Sequence, residues 1–180
     1  VAAGYTHRVD EIRNLIREIP DHPKPGVLFY DITPVLADAR GFADLLEAMT
    51  SSYADEGITK VAGIEARGFT LAAPVAEKLG AGFIPIRKPG KLPFEVHREE
   101  YELEYGTDAL EIHVDAVDPG DRVLLVDDVI ATGGTASAAV RLLRRLGADV
   151  AGFTVFIELG FLNGRNALQG VPFHALLRYD

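Results

Sequence analysis

The chain has 180 residues, 48% hydrophobic and 25% charged, which fits one compact domain, since domains commonly hold ~100–200 residues. Its formal net charge of −9 argues against a general binder of nucleic acid or anionic membrane, whose surfaces are usually basic; an anionic ligand has to meet a local cluster of bases. There is no cysteine, which excludes disulfides, thiolate zinc sites and cysteine nucleophiles, and no apolar run approaches the ~20 residues of a membrane span. No signal-peptide pattern opens the chain, so a cytoplasmic protein is expected.

No repeat or Ser/Gly-rich linker divides the sequence, and a single domain over 1–180 is expected. From Arg8 to Ile19, Val9, Ile12, Leu15, Ile16 and Ile19 recur at helical spacing, and Pro20, Pro23 and Pro25 end the pattern. Pro25 to Ile32 reads as a loop or short extended piece with two adjacent aromatics, Phe29 and Tyr30. Phe42, Leu45, Leu46, Met49 and Tyr53 mark an amphipathic helix over Gly41–Ala54. Lys60 to Ile64 reads as a buried strand that stops at Glu65 and Arg67, and a helix over Thr70–Leu79 follows it. Gly82 to Ile86 is the next strand, with Arg87, Lys88 and Lys91 just beyond its end.

Between Gly90 and Asp108 the sequence turns polar and acidic, bounded by glycine and proline. Its weak apolar content predicts a flexible lid or ribbon that projects from the core, although a solvated hairpin with salt bridges accounts for it equally well. Val123 to Val126 then forms a short apolar run of strand length, followed by Asp127, Asp128, the small residues Ala131 to Thr135, and a helical stripe of Ala136, Ala139, Val140, Leu143 and Leu146. Val150–Ile157 and Pro172–Leu177 offer further strands, separated by a loop or short helix over Gly160–Gly170. Strands alternating with helices indicate an α/β fold, a mostly parallel twisted sheet flanked by helices. In such sheets ligands bind beyond the C-terminal strand ends, and Arg67, Arg87–Lys91 and Asp127–Thr135 all follow strands.

A strand that passes through small residues into a helix presents backbone N–H groups at a helix N-terminus, where an anion can replace their missing partners. Carboxylates would repel a bare phosphate but suit hydroxyls, so Asp127 and Asp128 beside such a cradle describe a sugar phosphate. A strand end followed by an ordinary turn is the plainer account of the same residues. The lysine of a Walker loop is missing, and no Gly-x-Gly-x-x-Gly follows a strand. The five histidines, His7, His22, His97, His113 and His174, show no metal-ligand spacing.

The run Val126 to Thr135 resembles the phosphoribosyl pyrophosphate signature of the type I phosphoribosyltransferases. Pro25–Pro34, Glu65–Phe69, Ile86–Pro93 and Tyr101–Gly106 are similar to the adenine-using branch of that family, and with the signature they span nearly the whole chain. The resemblance implies a purine salvage enzyme that transfers ribosyl phosphate from phosphoribosyl pyrophosphate to N9 of adenine, giving AMP and pyrophosphate, with Mg2+ held mainly by substrate and water. It implies a 5′-phosphate on Ala131, Thr132, Gly133, Gly134 and Thr135, ribose hydroxyls on Asp127 and Asp128, and pyrophosphate on Arg67, Lys88 and Lys91. Arg87 would reach into a neighbouring subunit of a homodimer.

By the same resemblance, a base-recognition segment over about 8–34 stacks adenine on Phe29 and reads its edge through the backbone of Leu28 and Tyr30, where many relatives carry Arg in place of Tyr30. A mobile catalytic loop over about 90–108 brings Glu104 to adenine N7 and closes with Tyr105. Two alternatives remain open on these residues. One is the same reaction with xanthine, hypoxanthine or orotate; the other is a non-catalytic regulator of the same fold. No nucleic-acid or membrane partner is expected.

Overall fold

The computed structural model describes residues 2–102, 106–168 and 170–180. The chain forms two compact units, Val1–Ala48 and Met49–Asp180. The first contains α1 (Ala2–Leu15), an antiparallel pair β1 (Arg17–Pro20) and β2 (Leu28–Asp31), α2 (Thr33–Ala37) and most of α3 (Ala39–Thr50). The helical pattern read through Ile19 stops at Leu15, and Arg17–Pro20 pairs instead as a strand, with Glu18 opposite Tyr30 and Ile19 opposite Phe29. Ile19 is the only apolar residue of β1 besides the terminal Pro20, too few to set a period, and the partner strand decides the conformation. The turn between β1 and β2 is closed by Asp21, which accepts from the Gly26 amide at 2.7 Å.

The second unit is built on a five-stranded sheet, β3 (Lys60–Ile64), β4 (Gly82–Ile86), β7 (Arg122–Ile130), β8 (Asp149–Leu159) and β9 (Phe173–Tyr179), in the order β4-β3-β7-β8-β9. Every pairing within it is parallel. The inner strands are apolar because both faces are covered: Val61, Val123, Leu124, Leu125, Val126, Phe153, Val155 and Phe156 have no exposed surface. Crossover helices α4 (Arg67–Leu79) and α5 (Gly134–Arg145) cover the sheet and bury Leu71, Ala72, Val75, Ala138, Ala139, Leu142 and Leu143. Gly63 lets α4 approach closely, since a Cβ there would fall 2.5 Å from that of Ala72.

Three sequence expectations are corrected here. β7 does not end at Val126 but continues to Ile130, so Asp127 and Asp128 are strand residues; pairing with β8 carries the ladder through them, Asp127 opposite Val155. α4 begins at Arg67 and not at Thr70, which puts that arginine in the first turn. The segment after Gly90 is a two-stranded antiparallel ribbon, β5 (Val96–Glu102) and β6 (Thr107–His113), and it is less detached from the core than its polarity suggests. Tyr101, Ala109, Leu110 and Ile112 are all buried, because β6 continues into an apolar run beyond Asp108. A bridge between Arg87 and Glu111, with amide-to-carbonyl bonds of 2.9 and 2.7 Å, ties the ribbon to the end of β4.

Candidate active site

The order β4-β3-β7 means that the chain turns one way from β3 to β4 and the other way to β7. Loops leaving β3 and β7 therefore diverge and open a crevice between them, which is where open α/β sheets bind ligands. A cavity of about 370 Å³ lies there, lined by residues 64–67 after β3, by Lys88, and by residues 127–136 from β7 into α5. Of the residues singled out in the sequence, Arg67, Lys88, Asp127, Asp128 and the whole run Ala131–Thr135 share this lining.

The loop from β7 enters α5 through Gly133, the helix N-cap, with φ 82°. That left-handed conformation is readily adopted by glycine and costs an ordinary residue ~1–2 kcal/mol. The first helical turn beyond it leaves N–H groups without intrahelical partners, and the helix dipole adds partial positive charge. A dianionic phosphate is the group this end of the cavity suits.

Across from the loop the two acids are held differently. Asp128 is 4% exposed, and Arg67 Nε lies 2.9 Å from its Oδ2 in an ion pair whose angle is off the hydrogen-bonding line. Asp127 keeps part of its surface open, and its Oδ1 accepts from the Asp128 amide at 2.9 Å. Burial first, and then the charge of Asp128, push the Asp127 carboxyl well above the usual carboxylate range. Gly68 makes room for it: a Cβ there would stand 2.8 Å from Asp127 Oδ1.

Each cation near the cavity already faces a carboxylate. Lys88 Nζ is bound to Asp108 and, at 2.7 Å, to the Tyr101 hydroxyl. Burial would lower the Lys88 ammonium, but these partners outweigh it and raise it. Arg87 and Lys91 stand one step behind, outside the residues that line the cavity, and both bind Glu65: Arg87 Nε at 3.2 Å, and Lys91 through Nζ. The Lys88 amide adds a third bond to the same carboxylate at 3.0 Å. Although burial raises the Glu65 carboxyl, these donors hold it below its ordinary value. Nothing in the sequence pattern marks Glu65 as a site residue beyond its position before an arginine at a strand end, and only the structure shows three donors converging on it.

Leu28, Phe29 and Tyr30 lie on β2 in the first unit, where the Phe29 ring meets His22 edge-on, centroids 5.1 Å apart. Glu104 and Tyr105 lie outside the described residues. Among the described residues no three His, Asp or Glu side chains are gathered as a metal cage.

A Phosphoribosyl transferase domain model matches residues 32–166. The adenine phosphoribosyltransferase of Anaeromyxobacter dehalogenans (strain 2CP-C) is 54% identical over 171 residues, which cover 95% of this chain and 99% of the relative. The chain belongs to the adenine phosphoribosyltransferase family. Solved structures of the family agree with its fold. The adenine phosphoribosyltransferase of Rhodothermus marinus DSM 4252 superposes with a TM-score of 0.92 at 48% identity, covering 97% of this chain and 99% of that one. That of Saccharomyces cerevisiae, complexed with D-2,5-dideoxy-2,5-imino-altritol 1,6-bisphosphate and adenine, superposes at 0.91 with 36% identity, covering 95% and 99%.

For this adenine phosphoribosyltransferase-family chain, the crowding of Asp127 has a measurable consequence. Its folded-state pKa lies above its unfolded one. Its contribution to stability is therefore full below the ordinary carboxylate pKa and is lost as pH rises through the raised value. Asp127→Asn, uncharged at every pH, should melt higher than the native protein at neutral pH, and the gap should close on acidification. Calorimetry across that range checks it; a variant less stable at pH 7 would contradict the desolvation assigned to this carboxyl.

Proposed function

We propose that the chain transfers the 5-phosphoribosyl group of phosphoribosyl pyrophosphate to N9 of adenine, releasing pyrophosphate and forming AMP. The observation that carries the reading is one cavity at the β3/β7 crevice lined by a phosphate-type loop, two adjacent carboxylates and two bases, in a chain whose relatives are adenine phosphoribosyltransferases.

The 5′-phosphate rests on the loop from Ala131 to Thr135, and Asp127 and Asp128 accept from the 2′- and 3′-hydroxyls. As the C1′–oxygen bond breaks, its electron pair leaves on the diphosphate and the sugar acquires oxocarbenium character. Two carboxylates below it favour that positive charge. Arg67 and Lys88 receive the departing diphosphate, with Lys91 and Arg87 behind them, Arg87 acting toward a second subunit of a homodimer. A guanidinium presents five donors, so the contact of Arg67 Nε with Asp128 is compatible with a diphosphate on its other edge. Arrival of that diphosphate, up to three-fold negative as the ester and gaining a fourth charge as the bond breaks, draws the cations from Glu65, Asp108 and Asp128, which until then keep them oriented and compensated.

The segment 8–34 supplies base recognition, with adenine stacked on Phe29 and its edge read by backbone groups of Leu28 and Tyr30. The segment 90–108 supplies Glu104 and Tyr105. With the ring proton of adenine on N7, the N9 lone pair forms the bond to C1′ while Glu104 takes the N7 proton, so the base leaves the step neutral, and closure excludes water from the sugar cation. A glutamate has a reference pKa of ~4.3, so this role requires an environment that raises it. The chain acts as a cytoplasmic phosphoribosyltransferase.

Mg2+ fits the donor chemistry of the cavity. This ion usually keeps several waters and binds through few carboxylates plus substrate phosphates, and the acids here are two adjacent side chains, one already against Arg67. Asp127 and Asp128 would hold it through ribose oxygens and water. Bound there, it would neutralise charge on the diphosphate.

Incubation with phosphoribosyl pyrophosphate, Mg2+ and adenine, hypoxanthine, xanthine or orotate in parallel tests the reading. AMP and pyrophosphate should form with adenine. Turnover only of another base, or of none, would overturn it.

A further inference from the structure

The turn after β8 is packed against the phosphate loop, backbone to backbone. A Cβ on Gly164 would fall 2.1 Å from the Ala131 carbonyl oxygen and 3.0 Å from the Gly133 nitrogen. From the other side, a Cβ on Gly133 would fall 2.2 Å from the Gly164 carbonyl oxygen. No side chain can stand between the two, so the placement of the turn at residues 163–167 is transmitted directly to the curve of the loop.

Besides its own backbone hydrogen bonds, an ion pair ties that turn to the sheet. Glu158, near the end of β8, is the register partner of Ile130, the last residue of β7 before the loop. Its side chain is 1% exposed. Arg165, inside the turn, binds it with two donors, Nε to Oε1 at 2.6 Å and a terminal nitrogen to Oε2. Arg178 Nη1 approaches from β9 at 4.0 Å, and the guanidinium carbon of Arg165 lies 5.4 Å from the centre of the Phe173 ring. A buried ion pair is weak evidence for stability, because apolar groups of similar volume often serve as well. What a bidentate fork adds is direction, since it fixes the plane and angle of the guanidinium.

We propose that Glu158 and Arg165 are positioning residues for the 5′-phosphate: their ion pair sets the 163–167 turn, Gly164 backs Ala131–Gly133, and the loop keeps the curvature that aims its N–H groups at the phosphate. The inference rests on the reading of residues 131–135 as a phosphate cradle. Neither side chain lines the cavity, and the effect is transmitted through backbone contact.

Calorimetric titration with ribose 5-phosphate, alongside steady-state kinetics in both substrates, tests it. Arg165→Met should raise the dissociation constant of ribose 5-phosphate and the KM for phosphoribosyl pyrophosphate by ~10-fold, the scale of loss expected from a sub-ångström misplacement. The KM for adenine should stay within about twofold of native. Arg165→Lys, which keeps the charge but not the fork, should fall between. Should Arg165→Met not fold, the double variant Glu158→Gln/Arg165→Met removes both charges together and should show the same selective loss. Affinity for ribose 5-phosphate unchanged in a folded variant, or both KM values moving together, would overturn the inference. Turnover of adenine by the native protein is scored apart: its absence counts against the proposed reaction, while the ribose 5-phosphate affinities still decide the positioning role.

Discussion

Replacing Gly133 with alanine should lower kcat/KM for phosphoribosyl pyrophosphate by ~10²-fold or more, while the sheet remains folded. Two independent costs meet at this residue. Its φ of 82° is a left-handed conformation that penalises an L-residue by ~1–2 kcal/mol, and the added methyl would lie 2.2 Å from the Gly164 carbonyl oxygen and 2.9 Å from the Ala167 Cβ. Neither neighbour can yield as the end of a flexible side chain does, so either the loop or the turn behind it must shift. A shift of the loop moves the N–H groups away from the phosphate. Gly147→Ala is the control: its φ of 87° carries a similar conformational cost, but a Cβ there meets nothing within 4 Å. That variant should lose about 1 kcal/mol of stability and keep its KM values. Kinetics and thermal melting of the pair separate backbone strain from displacement of the cradle, and an unchanged KM for phosphoribosyl pyrophosphate in Gly133→Ala would refute the phosphate role.

The second large effect is expected at Arg67. Arg67→Gln should reduce kcat by ~10²–10³-fold, the range found when one preorganised donor to developing charge is removed. It should also move the acid limb of the pH–rate profile to higher pH. The charge of Arg67 opposes the rise in the Asp127 pKa that burial and Asp128 produce; without it Asp127 holds its proton to higher pH. The proton-free form that favours the sugar cation is then reached later. Measurement of kcat from acid to neutral pH tests both parts at once. A fall in kcat without movement of the limb would confine Arg67 to the diphosphate and remove its influence on the acids.

The sheet was legible in the sequence because an inner strand covered on both faces reads as a continuous apolar run, as Lys60–Ile64 does; the edge strand Gly82–Ile86, only partly buried, is apolar enough to have the boundaries expected of it too. Legibility failed where polar residues lie within a strand. Asp127 and Asp128 interrupt the apolar run of β7, and a rule based on hydrophobic pattern stops at Val126, although the backbone ladder continues to Ile130. The ribbon after Gly90 misled in the same way. Its charged strand, β5, hides the apolar strand β6 that anchors it, and only pairing brings Glu99 opposite Leu110 and Tyr101 opposite Asp108.

Composition and strand–helix alternation were enough for the fold class, and the resemblance carried by Val126 to Thr135 and the other matching stretches for the family, because those properties depend on local pattern and on which groups occur in succession. Which charges meet was decided by tertiary structure alone. Glu65 gathers Arg87, Lys88 and Lys91 from beyond the next strand, Asp108 takes Lys88, and Gly164, thirty-one positions after Gly133, forms the back of its loop. Coulomb energy and van der Waals contact depend on distance through space, and crossover connections bring together groups whose separation along the chain carries no record of that distance.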